Sequence, residues 1–128
     1  MFRDESYCFA GAYMLKTKSF FECYLGTMPP VSAEGQNLQM LLPLLSRGRC
    51  GFIDEPLFTY HIRTTGHSCK KRSFSECISR INNFTRLRKE LLQFCECDRG
   101  YYMKEADGVA EEYREKLLYS AVKNIKNK

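Results

Sequence analysis

Residues that can take part in chemistry lie at both ends of the stretch from Glu34 to Ser68. The first end has a carboxylate and two amides, which are Glu34, Gln36 and Asn37, and the second end reads TYHIRTTGHS. A carboxylate can accept a proton, and amides both donate and accept hydrogen bonds. Histidine can ligate a metal ion, and arginine can clamp a phosphate with two donors. A domain that only packs has no need of the polar cluster at the second end.

A helix and two short strands are expected to position these residues. Leucines recur on one helical face of residues 34–47, and Gly48 is typical of the end of a helix. Pro43 lies inside this run and removes one backbone hydrogen bond, so we expect the helix to be kinked there. The strands are predicted at residues 50–53 and 57–63, on either side of an acidic proline turn.

The back half of the chain is predicted to be helical. Ser73 and Glu76 have the spacing of a capping box, and apolar residues then recur at helical spacing to about Phe94. After a break at residues 95–100, a second amphipathic helix is predicted at residues 103–126. Two shorter elements are predicted ahead of Glu34, a strand at residues 7–15 and a helix at residues 17–25.

Composition is that of one globular domain. The chain has 128 residues, of which 44% are hydrophobic and 27% charged, so it can bury a core. No apolar run is close to the length of a membrane span, which is about 20 residues. We also expect no signal peptide. A net charge of +5 leaves phosphate groups and anionic lipid open as partners. Nucleic acid is not expected, because the basic residues are scattered among acidic ones.

The seven cysteines give little support to a metal site or a disulfide scaffold. Their number is odd, their spacing is irregular, and no pair is separated by the two residues that zinc sites commonly use. We therefore expect free and mostly buried thiols in a reducing compartment.

The stretch from Gly35 to Ser68 resembles the C-terminal part of bacterial glycosyltransferase family 2 enzymes. The resemblance rests on the motifs GQN at the helix start, the glycine at its end, GFIDEPL after it, and the closing Tyr60, His61, Arg63 and Ser68. The upstream run FAGAYMLKTKSFFE is similar to the strand, turn and helix that precede the acceptor site in that family. More loosely, the two long helices resemble the C-terminal extension of such enzymes.

The resemblance implies a GT-A fold, and hence an α/β chain with a few short strands, mostly helices and two long C-terminal helices. Members of the family hold a nucleotide-sugar diphosphate with a divalent metal, Mg or Mn, bound by a DxD motif. This sequence contains no DxD and no glycine-rich nucleotide unit. We therefore expect the acceptor-side part of a longer enzyme, with residues 1–69 in the catalytic domain and residues 70–128 as a helical extension. The chain alone is expected to be inactive, and the divalent metal is expected in the full-length enzyme.

The resemblance also implies a catalytic role for the helix start, where the family carries an acidic pair that acts as the base. Gln36 and Asn37 occupy those positions, and amides cannot accept that proton. Glu34 is the nearest carboxylate, so either Glu34 is the base, or the base comes from elsewhere, or the enzyme works poorly. An alternative is that Glu34 is only a favourable charge near a helix N-terminus. Gln36 and Asn37 are expected to bind sugar hydroxyls.

The closing cluster is expected to meet the donor. One of His61 and His67 is a candidate metal ligand, and Arg63 is a candidate clamp for the diphosphate. The alternative is that these strand-end side chains are simply solvated. The remaining candidates for substrate binding are Tyr60 and the small residues Gly11 and Ala12.

Two functions from different classes follow. The first is a part of a glycosyltransferase that transfers a sugar from a nucleotide-sugar donor to a saccharide or lipid-linked acceptor, in cell-surface polysaccharide synthesis. The second is a non-catalytic helical module that binds a protein or a membrane surface. We expect a cytoplasmic chain, in peripheral contact with the inner face of the membrane, that self-associates when isolated.

Overall fold

The computed structural model describes residues 3, 12–59, 61 and 71–126. These residues form four α-helices, and a short 3-10 turn, Leu92–Phe94, joins the last two. The described residues contain no strand, so the α/β fold class is wrong and this part of the chain is all-helical. The helices are α1 (Thr17–Cys23), α2 (Gln36–Arg47), α3 (Phe74–Leu91) and α4 (Arg99–Lys126).

None of the three predicted strands forms within the described residues, and a strand needs a hydrogen-bonded neighbour to be stable. In the first predicted strand, residues 12–15 have no regular structure, and residues 7–11 lie outside the described residues. Residues 50–53 and 57–59 are exposed and irregular, and much of the rest of the third strand also lies outside the described residues. Short apolar runs favour a strand only where a sheet exists to receive them.

The two long helices are confirmed, and local signals set their starts. Ser73 Oγ accepts a hydrogen bond from the backbone N–H of Glu76 at 3.2 Å, and Glu76 Oε2 accepts one from the backbone N–H of Ser73 at 2.7 Å. At the start of α4, Asp98 Oδ1 accepts from the backbone N–H of Tyr101 at 3.0 Å. This acidic cap explains why α4 begins before the predicted position.

Helices α3 and α4 form an antiparallel pair. Lys89 Nζ lies 2.6 Å from Asp107 Oδ1, and Arg114 Nη2 donates to Asn82 Oδ1 at 3.0 Å. The earlier residue of α3 is thus paired with the later residue of α4, so the two helices run in opposite directions. The apolar side of α4 contributes buried Ala106, Val109 and Ala110. Within the described residues, no helix combines the length and the apolar character needed to cross a membrane.

The core lies where α1 and α2 meet α3. Tyr24 is fully buried, its hydroxyl donates to the Gln39 carbonyl at 2.5 Å, and its ring centroid lies 4.7 Å from that of Phe94. Leu38 of α2 and Leu87 and Leu91 of α3 complete the buried cluster. The core therefore joins residues from both sides of the predicted boundary at residue 69.

Gly35, which precedes α2, lies close to the side chains of α3. It caps α2 with a left-handed backbone, at φ 74°. A Cβ atom at this position would lie 2.6 Å from Leu87 Cδ2 and 3.1 Å from Phe84 Cε1. Both the conformation and the space therefore require glycine.

We predict that Gly35→Ala lowers the free energy of unfolding by about 2–4 kcal/mol, because it adds left-handed strain and a steric overlap. Urea unfolding measures the change. Gly26 also has φ 74° but nothing within 4 Å of its Cβ position, so Gly26→Ala should cost only about 1–2 kcal/mol. Gly108 lies inside α4 with open space around it, so Gly108→Ala should stabilise the chain by about 0.5–1 kcal/mol. Equal losses for Gly35→Ala and Gly26→Ala would contradict the steric part of the argument.

The five cysteines within the described residues are free thiols, and two of them are buried. Burial raises the pKa of Cys95 from 9.0 to about 11 and raises the pKa of Cys23 and the Tyr24 hydroxyl as well. Because the folded state holds the Cys95 proton more tightly than the unfolded state, the contribution of this thiol to stability is complete below about pH 9. It is lost progressively as the pH rises from there towards 11.

We predict that the urea midpoint falls between pH 9 and pH 11 and that Cys95→Ala makes this fall shallower. Cys50 is exposed, so Cys50→Ala is the matched control and should leave the fall unchanged. An identical pH dependence in the parent chain and in Cys95→Ala would contradict the assignment.

Candidate functional site

The candidate site is the start of α2, where the sequence placed its catalytic residues. Ser32 Oγ accepts a hydrogen bond from the backbone N–H of Glu34 at 3.2 Å, and Gly35 then turns the chain into the helix. Gln36 is exposed, and Asn37 is half-buried. The first backbone N–H groups of a helix have no partner inside that helix, so this end can offer hydrogen-bond donors to a ligand.

Glu34 is paired with Arg80 of α3. Arg80 Nη2 donates to Glu34 Oε2 at 2.9 Å, and Arg80 Nε lies 2.8 Å from Glu34 Oε1 without forming a hydrogen bond. The Glu34 side chain is 19% exposed and that of Arg80 is 33% exposed. The Arg80 guanidinium also lies over the Phe84 ring, 5.9 Å from its centroid. The structure therefore places Glu34 in an ion pair with α3.

Asn37 is linked to the segment that precedes α1. The Tyr13 hydroxyl donates to Asn37 Oδ1 at 3.3 Å. This contact brings the exposed Ala12, the neighbour of Tyr13 in the chain, towards the start of α2.

The sequence analysis missed Tyr13 and Arg80. Tyr13 lies inside the run FAGAYML, next to the two small residues that were chosen, so a search for hydroxyl groups in that run could have found it. Arg80 is 46 positions from Glu34 and lies on a helix that gives no local signal of a site. Only the packing of α2 on α3 brings it into contact.

The closing cluster is only partly described. Tyr60, Arg63, His67 and also Gly11 lie outside the described residues, so their predicted roles stay predictions. His61 is exposed and has no regular structure. Among the described residues, no group of three or more His, Cys, Asp or Glu side chains could hold a metal ion.

Residues 50–59, called here the exposed apolar segment, follow α2. Every residue described in this segment is exposed, including Phe52 at 88%, Leu57 at 69% and Ile53 at 58%. Its backbone includes one tight bond, from the N–H of Leu57 to the carbonyl of Glu55 at 2.8 Å. Large side chains of this kind, exposed next to one another, are typical of an interaction surface.

Comparison with known proteins gives no relative: no family model, no curated protein and no solved structure matches the chain.

We predict that the isolated chain self-associates through the exposed apolar segment. The association should be detectable at roughly tens of micromolar, because weak apolar contacts are populated at that concentration. Phe52→Ser and Leu57→Ser should each lower the weight-average mass in sedimentation equilibrium. Both side chains are exposed, so the melting temperature should change little.

Val31→Ser is the matched control, because Val31 is 92% exposed but lies outside the segment. It should leave the association unchanged. A monomeric parent chain at these concentrations would show that the segment does not drive pairing between copies.

Proposed function

We propose that the chain is the acceptor-side part of a glycosyltransferase, which transfers a sugar from a nucleotide-sugar donor to a saccharide or lipid-linked acceptor. The observation that carries the proposal is the start of α2. There the GQN motif begins a helix whose first residues are held against α3. The helix ends at Gly48, and an exposed segment with the EPL motif follows. The motifs come in the sequence order of the family that the chain resembles, although the strand that the family has after the glycine does not form within the described residues.

The start of α2 has the chemistry needed to bind a saccharide. The amide side chains of Gln36 and Asn37 offer both donors and acceptors, as do the hydroxyl groups of a sugar. Tyr13 adds a hydroxyl that already reaches Asn37. Because the helix end is held against α3, these groups lose little freedom when a ligand binds.

The donor side of the reaction needs groups beyond those described. The departing nucleoside diphosphate must be stabilised by cations, and Mg or Mn would supply that charge in the longer enzyme. The described residues do not fit such a metal, since they contain no cluster of ligands. We therefore assign the donor and the metal to residues beyond the described ones, in the rest of this chain or of the longer enzyme. A lipid-linked acceptor would place the enzyme at the cytoplasmic face of a membrane.

A second candidate function is a non-catalytic interaction module. It is favoured by the helical fold and by the exposed apolar residues Leu118, Tyr119 and Val122 near the end of α4. Such a module has no reason to bind a saccharide at the start of α2, so a binding experiment separates the two functions.

We predict that methyl glycosides of glucose, galactose and N-acetylglucosamine, at millimolar concentration, shift the amide NMR signals of Gln36, Asn37 and Leu38. A shallow site with a few hydrogen bonds gives dissociation constants on the order of 1 mM or weaker. Asn37→Ala should abolish the shifts. Asn83→Ala is the matched control, because Asn83 is an exposed asparagine on α3. Signals that stay in place in the parent chain would favour the interaction module.

Activity gives an independent check. The 128-residue chain should release no nucleoside diphosphate from a panel of nucleotide sugars with Mg or Mn, whereas a longer protein that contains it should do so. Transfer by the 128-residue chain alone would contradict its assignment as one side of an enzyme.

A further inference from the structure

One face of α3 receives the residues that precede α2. Arg80, Phe84 and Leu87 follow one another at spacings of four and three, so they lie on the same side of the helix. Arg80 binds the carboxylate of Glu34, whereas Phe84 and Leu87 contact the backbone at Gly35. Glu34 and Gly35, which are consecutive in the chain, are thus held by three side chains on one face of α3.

We propose that Arg80 is a positioning residue that fixes the start of α2, and that Glu34 is the anion it holds and not the general base of the transfer. The purpose of the arrangement rests on the proposed function, because the helix start is what presents Gln36 and Asn37 to a saccharide. The arrangement itself does not depend on that function.

The geometry fits an anchor better than a base. Both oxygens of Glu34 lie within 3 Å of the guanidinium, and both side chains are partly buried. If Glu34 took a proton from a sugar hydroxyl, the Arg80 charge would face a neutral acid in a partly desolvated site. Leaving such a charge without its partner is costly. The proton of the acceptor must therefore go to a carboxylate other than Glu34.

The contact also connects α3 to the first turn of α2. In that turn the N–H of Gln39 donates to the Gly35 carbonyl at 3.1 Å. Any loosening at Glu34 and Gly35 therefore weakens the first turn of α2 directly. The far end of α2 is closed separately, by a bond of 2.9 Å from the Gly48 N–H to the Leu44 carbonyl.

Hydrogen exchange on the 128-residue chain tests the proposal without any assay of activity. Arg80→Met should raise the exchange rate of the Gln39 amide roughly tenfold, as expected for the loss of a hydrogen bond between charged groups. The Gly48 amide should keep its rate. Arg80→Lys keeps the charge but not the planar fork, so it should restore part of the protection. Arg86→Met is the matched control, because Arg86 pairs with Glu90 on the same helix, and it should leave the Gln39 amide unchanged.

An unchanged rate at Gln39 in Arg80→Met would overturn the proposal. An equal increase at Gln39 and Gly48 would also overturn it, because the arginine would then contribute only to global stability. If Arg80→Met does not fold, Glu34→Gln gives the same reading from the other partner. It removes the charge but keeps an acceptor for Arg80.

Kinetics of the longer enzyme test the exclusion of Glu34 as base. Glu34→Gln should raise the KM for the acceptor, leave the KM for the donor unchanged, and keep the pH profile of kcat. A general base typically contributes roughly a hundredfold or more to the rate. A fall of kcat by that factor, with an altered pH profile, would therefore overturn the proposal. If the longer protein transfers no sugar at all, the proposed function fails, and the exchange measurements still decide the role of Arg80.

Discussion

The contact between the backbone at Gly35 and the side chains of Phe84 and Leu87 is the constraint on which the rest of the arrangement depends. Because a Cβ atom at Gly35 would overlap Leu87 and crowd Phe84, the start of α2 can lie this close to α3 only with glycine at this position. That approach lets Leu38 enter the core beside Leu87 and Leu91. It also brings Glu34 within reach of Arg80. Packing and site geometry therefore share one origin.

Some of the fold could be predicted from the sequence because its signals are local. The capping box at Ser73 and Glu76 sets the start of α3, and α2 ends at Arg47 as predicted, although Gly48 has an extended and not a left-handed backbone. The helix continues through Pro43, which is buried, so packing there outweighs one lost backbone bond. The strands could not be predicted reliably, since a strand depends on distant partners and no local signal reports whether they exist.

For the candidate site too, the features that depend on neighbouring residues could be predicted, whereas those that depend on distant residues could not. The amide pair at the helix start was predicted from its position in a motif, and the structure places it at that start. The role of Glu34 was left open between base and helix-end charge, because its partner comes from a helix 46 positions away. Sequence spacing describes neighbours along the chain, whereas an ion pair of this kind is decided by how two helices pack.

Helix α2 is also held at its other end. Arg47 Nη2 donates to the Phe94 carbonyl at 3.0 Å, and Ser46 Oγ accepts from the backbone N–H of Glu96 at 3.1 Å. Both ends of α2 are therefore attached through space to α3 or to the residues between α3 and α4. A protease that cuts the exposed apolar segment would leave two pieces that remain associated. The same principle would allow the pieces to be produced separately and to reassemble into the helical core.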